Sequence, residues 1–264
     1  MAFSLEEPKM PARSLTARAA RKLRRLSAER LGRRMVPIET SVPIISFTFD
    51  DAPVTAFTAG GTILKQFGAR ATYFVCLGLL GQETEAGTIA SAADLARALE
   101  DGHELGCHTF DHLDAWYTSS AKFMASVARN REELCRILPQ ANFKSFAYPK
   151  SGAKLSIKSA LGNIFVCCRG GGQEANEGGA DLNLLKACFL DRRTGTDGEF
   201  IRALVDRNAA RRGWLIFATH DVCANPSRYG CTPGFLEEVA RCAHRSGALL
   251  LPIGAACARL LPVN

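Results

Sequence analysis

Ile44–Asp51 reads I-I-S-F-T-F-D-D, an apolar, strand-favouring run that stops on two adjacent carboxylates. A short run of this composition, bounded by turn signals, reads as a buried strand. Outward from it the pattern returns at Ala71–Gly78, His103–Thr109, Ser145–Lys150, Ile164–Arg169 and Trp214–Asp221, with a further strand at Ala248–Ile253. The intervening segments carry helix signals of their own. Ser91, with Asp94 following, opens Ala92–Glu100 like a capping box, and Gly102 stops it. After Ser120, Phe123, Val127, Leu134 and Leu138 share one helical face; Thr196 leads into Phe200, Ile201, Leu204 and Val205. Thr232–Pro233 starts a helix that turns Phe235, Leu236, Val239 and Ala243 inward and ends at Gly247. Strands alternating with helices predict an α/β domain around a mostly parallel sheet. Gly170–Asn183, with five glycines and no apolar period, is expected to be a long loop.

Composition narrows the class. In 264 residues, 47% are hydrophobic and 22% charged, which excludes a disordered chain, a collagen-like repeat and a coiled coil. The apolar stretch Gly247–Val263 is interrupted by Pro252, Arg259 and Pro262 and falls short of a membrane span. The net charge of +7 is local: residues 1–34 hold ten of the 33 basic side chains and three of the 26 acidic ones, leaving the rest formally neutral. No nucleic-acid partner is therefore expected for the body. Leu15, Ala19, Leu23, Leu26 and Leu31, with arginines between them, trace a basic amphipathic helix suited to an anionic membrane surface. A solvated, disordered tail fits the same composition. Ten cysteines without a C-x-x-C pair, several inside apolar runs, predict reduced thiols. No apolar export segment follows the early charges, so the expected location is cytoplasmic, or peripheral on the inner face of the membrane.

Parallel α/β sheets bind ligands beyond the carboxyl ends of their strands. At those ends stand Asp50–Asp51, His108 with His112, Tyr148–Pro149–Lys150, Arg169 and His220–Asp221, so three of the five histidines gather there. Two neutral imidazoles and a carboxylate are a common ligand set for Zn²⁺ and similar ions. Each residue also has a plain reading, as a surface turn, a helix cap or a satisfied core histidine. Either Asp50 or Asp51 can serve as general base if the turn after the strand aims both at one pocket, and His220 can serve as general acid. His103 begins its strand and belongs to the opposite end; His244 belongs to an exposed helix face.

Thr48–Asp51 (T-F-D-D), Gly102–His112 (G-H-E-L-G-C-H-T-F-D-H), Phe146–Gly152 (F-A-Y-P-K-S-G) and Leu215–His220 (L-I-F-A-T-H) follow in the order and spacing of a known family. Over about residues 42–255 the chain resembles the polysaccharide deacetylases, the chitooligosaccharide deacetylases among them. The resemblance implies a distorted, incomplete (β/α) barrel of about seven strands; with the charge pattern it divides the chain into a basic N-terminal arm over 1–40 and a catalytic domain over 41–264. It implies metal-dependent removal of an N-acetyl group from an amino sugar in a glycan or glycan intermediate. Asp51, His108 and His112 would hold the divalent metal, zinc or alternatively Co, Mn or Ni; Asp50 would be the base and His220 the acid. Tyr148, Pro149, Lys150 and Arg169 would meet the substrate, the Lys150 amide as an oxyanion donor.

Three departures stand out. Ala147 occupies a place where the family often has an arginine bracing the base, so the brace is absent or comes from Arg169 or Lys186. The family's fourth motif is not recognisable in Gly170–Arg193, and the first reads D-D-A-P rather than D-D-G-P. The alternatives to a deacetylase are a deformylase or other amide hydrolase on a small or lipid-linked substrate, and a silent carbohydrate-binding module of the same fold.

Overall fold

The computed structural model describes residues 26–191 and 197–261. Eight strands build the central sheet: β1 (Ile44–Asp50), β2 (Ala71–Val75), β3 (Glu104–Cys107), β4 (Ser145–Ala147), β5 (Cys167–Arg169), β6 (Cys188–Phe189), β7 (Trp214–Thr219) and β8 (Leu249–Leu250). Around them lie α1 (Thr62–Gln66), entered through a π-helical turn at Ala56–Gly61, α2 (Ala92–Glu100), α3 (Ser120–Ile137), α4 (Leu155–Gly162), α5 (Gly198–Arg211), α6 (Pro233–Arg245) and α7 (Ile253–Leu260).

The strands run parallel in the order β6-β7-β1-β2-β3-β4-β5, and β1 is buried along its whole length. One edge of β1 is shared: Ile44 and Ile45 pair with β8, then Phe47–Asp50 pair with β2. Between the outer strands, Leu185 bridges to Arg169 of β5, while Cys188 and Phe189 pair with Phe217 and Ala218 of β7. A short irregular segment thus stands where a regular strand would close the circle, giving the expected distorted, incomplete barrel. Cys188–Phe189 is too short to leave a period in the sequence.

Strand alternation sorts the side chains onto two faces. Ile45, Phe47, Phe49, Tyr73, Val75, Leu105, Phe146, Leu215 and Phe217 pack in the larger core cluster with the helices. The other parity contributes Ile44, Phe74, Ala147, Cys167, Trp214, Ile216 and Ala218 to a smaller cluster inside the barrel. The helix α7 plugs the amino end by adding Ile253, Ala256 and Cys257 to that cluster. Its first amides are held there: Ile253 N donates to Thr72 Oγ1 at 2.9 Å and Gly254 N to Glu104 Oε2 at 2.7 Å.

Helix starts follow the sequence signals. Ser91 and Asp94 form the reciprocal capping box of α2, and Thr232 accepts from Phe235 N at the start of α6. For α5 the cap is Asp197, which accepts from Phe200 N; Thr196 lies outside the described residues. Phe200, expected to face inward, is 42% exposed because the buried stripe runs through Ile201, Leu204, Val205 and Asn208.

Within the arm, Leu15, Ala19 and Leu23 lie outside the described residues, and residues 26–30 form a helical turn. Met35–Pro37 pairs antiparallel with Gly179–Asp181, a strand within the stretch expected to be wholly loop. Lys158, fully buried on α4, donates to Ala28 O at 2.6 Å, Leu31 O at 2.9 Å and Asp181 Oδ2 at 2.6 Å, fastening the arm's end to the body. All ten cysteines are unpaired. No helix among the described residues is long and apolar enough to cross a membrane.

Candidate metal centre

Inward parity brings Asp50 at the end of β1, His108 just past β3, Arg169 at the end of β5 and His220 just past β7 to the same level of the barrel. Asp51 follows Asp50 and would point away in extended backbone. Instead Asp51 and Ala52 adopt φ of 59° and 57°, which swings the second carboxylate into the cleft as well. A left-handed backbone at two consecutive non-glycine residues costs energy and recurs at functional sites.

His108 Nε2 lies 3.7 Å and His112 Nε2 3.4 Å from Asp51 Oδ1, and His220 Nε2 lies 3.9 Å from Asp51 Oδ2. The ligand atoms of Asp51, His108 and His112 all fall within 4.8 Å of one another. The donor set suits a divalent cation of borderline softness. His108 is prepared for this role: its Nδ1 donates to the Ala147 carbonyl at 2.8 Å, leaving the Nε2 lone pair aimed at the cleft. Burial lowers its pKa to about 4, so the ring is neutral.

Asp50 is buried beside this set and bound by Arg169 Nη2. Burial pushes its pKa up, but the positive surroundings, led by the charge and hydrogen bond of Arg169, hold it below the ordinary carboxylate value. The guanidinium is fully buried, donates its other arm to Gly170 O at 3.1 Å and lies over the Phe74 and Phe189 rings at 5.1 and 5.4 Å. Arg169 therefore stands behind Asp50, and Ala147 occupies the place where the family that the sequence resembles often has an arginine. Lys186 is engaged on the surface with Glu174 at 3.0 Å.

Tyr148 and Pro149 do not reach the cleft as open side chains. Tyr148 is fully buried, with its hydroxyl donating to Asn183 O at 3.0 Å, and Pro149 is buried in the turn that ends β4. This is a correction for Tyr148, Pro149 and Arg169 as sugar-contacting side chains: all three are buried. Lys150 is exposed and adopts φ of 57° in that turn. His220 Nδ1 is buried without a hydrogen-bond partner among the described residues. His103 lies at the amino end, its Nδ1 accepting from Ala71 N at 3.0 Å.

Sequence reasoning passed over the polar residues that hold the histidine loop. Ser126 and Asn130 sit on the buried face of α3 among Phe123, Val127 and Leu134. Polar side chains inside an apolar helical stripe were the available signal.

Comparison with known proteins adds three findings. Residues 38–163 match the family model for polysaccharide deacetylase. The chitin deacetylase of Colletotrichum lindemuthianum is 35% identical over 117 residues, 42% of this chain and 46% of that protein, so the chain spans about half of that relative's length. The peptidoglycan-N-acetylglucosamine deacetylase of Listeria monocytogenes is 33% identical over 95 residues, 32% of this chain and 19% of its own. Among solved structures, the Colletotrichum lindemuthianum chitin deacetylase superposes with a TM-score of 0.58 at 22% identity, over 83% of this chain and 88% of that one. A family 4 acetyl xylan esterase from Clostridium thermocellum, in complex with a cobalt ion, gives 0.56 at 20% identity over 80% and 89%.

Proposed function

We propose, from the match of residues 38–163 to the polysaccharide deacetylase family model and the geometry of the cleft, that the chain is a metal-dependent hydrolase removing the N-acetyl group from an amino sugar of a glycan or glycan intermediate. The observation that carries this reading is the convergence of Asp51, His108 and His112 beside a braced Asp50 and a largely buried His220. Asp51, His108 and His112 would hold the cation, zinc or alternatively Co, Mn or Ni, which would supply Lewis acidity toward the amide oxygen.

The chain's own groups do the proton work. Asp50, kept ionised by Arg169, takes the proton from the attacking water. His220 stands on the other side of Asp51 and delivers a proton to the departing sugar nitrogen. The Lys150 amide, presented by the left-handed turn after Pro149, donates to the oxyanion. Arg169 behind Asp50 supplies the brace that Ala147 does not, which favours catalysis over a silent carbohydrate-binding module.

For location, the reading is cytoplasmic or peripheral on the inner face of the membrane, with the basic arm meeting anionic lipid; recovery of the protein from the culture medium on fractionation would overturn it. The activity is tested by elemental analysis of the purified protein and of His108→Ala, followed by acetate release from N-acetylglucosamine oligomers. About one divalent ion per chain, lost in the variant together with acetate release, is the expected result. A metal-free protein that binds no ion on titration would overturn the hydrolase.

A further inference from the structure

The two histidines of the metal centre are four residues apart on a loop, not on a regular element. Thr109 and His112 adopt φ of 61° and 51°, and a β-branched residue in that region is an outlier. The loop needs an outside support to keep both imidazoles on one ion. We infer that Ser126 and Asn130, side by side on the buried face of α3, are positioning residues that set the ligand geometry of His108 and His112. The inference rests on the metal reading of the site.

Ser126 Oγ accepts from Phe110 N and Asp111 N, each at 3.1 Å, and donates to Asp111 Oδ2 at 2.7 Å. Its two lone pairs and one proton are thus all committed to the loop. The helix backbone joins in, with Phe110 N also donating to Ser126 O at 3.2 Å. One turn on, Asn130 is fully buried: Leu77 N donates to its Oδ1 at 2.9 Å, while its Nδ2 donates to Val75 O at 2.9 Å and lies 3.3 Å from Cys107 Sγ. Val75 O also accepts from His108 N at 3.1 Å, so Asn130 and the first metal-binding histidine share one acceptor.

Arg129 completes the grip from the surface, over the Phe110 ring at 3.8 Å and 3.8 Å from Asp111 Oδ1. On the far side Gly78 N donates to Phe110 O at 3.1 Å, and a Cβ at Gly78 would come 2.5 Å from that oxygen. The bonds from Ser126, Arg129 and Asn130 end on the segment between the two ligands, on Cys107 just before it, or on Val75 and Leu77 at the end of the neighbouring β2. None reaches the cleft, so the helix acts on the metal through the loop alone.

The test is Zn²⁺ titration of the full chain by calorimetry, with the visible spectrum of the Co²⁺-loaded protein as a readout of ligand geometry. Ser126→Ala is expected to weaken Zn²⁺ affinity about tenfold or more and to alter the Co²⁺ spectrum. Ser126→Thr, which keeps the hydroxyl, is expected to restore both. Ser120→Ala, whose hydroxyl meets only Ser156 Oγ at 2.8 Å, is expected to leave both unchanged. Should Ser126→Ala fail to fold, Asp111→Ala decides, since that residue is exposed and is expected to lower the affinity severalfold through the same loop. Unchanged affinity and spectrum in the folded Ser126→Ala protein, or in Asp111→Ala if it alone folds, would overturn the inference and leave the hydrolase standing. A parent protein that binds no Zn²⁺ would overturn both.

Discussion

The two ends of the barrel interior each hold a desolvated carboxylate, Asp50 buried and Glu104 partly so, and they treat it in opposite ways. At the carboxyl end Asp50 faces Arg169, and its pKa falls below the ordinary value despite burial. At the amino end Glu104 is met by neutral donors, Ser145 Oγ at 2.7 Å and Gly254 N at 2.7 Å, and burial leaves its pKa raised. Burial is common to both; the buried cation is not. A desolvated carboxylate is ready to accept a proton as an anion only where a fixed positive charge offsets the desolvation. The amino end is a plug joining α7 to the strands, and the carboxyl end is a place for chemistry.

The largest effect expected at either end comes from Asp50→Asn, which removes the proposed proton acceptor. Turnover should fall by about 10²–10⁴ with metal content retained. Steady-state acetate release with elemental analysis checks this, and undiminished turnover would reassign the base.

Next comes Arg169→Met, which makes the carboxyl end resemble the amino end. It leaves Asp50 buried without its cation, a change costing about 3–5 kcal/mol in folding stability by urea unfolding. The acid limb of kcat/KM should also move to higher pH, because the carboxylate loses what holds its pKa down.

Between the two ends lies Gly106, on β3 midway from Glu104 to His108. A Cβ there would come 2.4 Å from the Phe74 ring, so Gly106→Ala should overpack the middle layer and cost about 1–3 kcal/mol. A smaller loss of metal affinity should accompany it, since Phe74 also packs against the His108 ring.

The smallest effect belongs to Glu104→Gln, which can keep a hydrogen bond to each neighbour and should change stability by about 1 kcal/mol or less in mild acid. A carboxyl group with a raised folded-state pKa contributes stability that is fully present below its unfolded pKa and is lost as pH rises through the folded value. The variant should therefore gain on the parent as pH climbs above the ordinary carboxylate range. Urea unfolding in a pH series checks this, and a pH-independent difference would mean that Glu104 is not strained by burial.

Legibility in the sequence followed the same division. The strands β1, β2 and β7 were readable because each is a largely apolar, strand-favouring run, and the side chains at their ends came with them. Their exact ends were less so: β2 stops at Val75 before a tight turn over Leu77–Leu79, and β4 stops at Ala147, leaving Tyr148 buried by tertiary packing. The closing segment around Leu185–Phe189 was not readable, because its pairing partners on β5 and β7 are supplied by distant parts of the chain.

What the sequence by itself determined was the alternation of strand and helix, the caps of α2 and α6, and the presence of Asp50, Asp51, His108, His112 and His220 at strand ends, since all of these rest on local spacing. Only the tertiary structure decided which carboxylate turns toward which partner. The left-handed turn at Asp51, the placement of Arg169 behind Asp50 and the hold of Ser126 and Asn130 on the histidine loop depend on contacts between segments far apart in the chain. A charge or a hydroxyl is fixed in place by what surrounds it in space, and that neighbourhood is not written in any one stretch of residues.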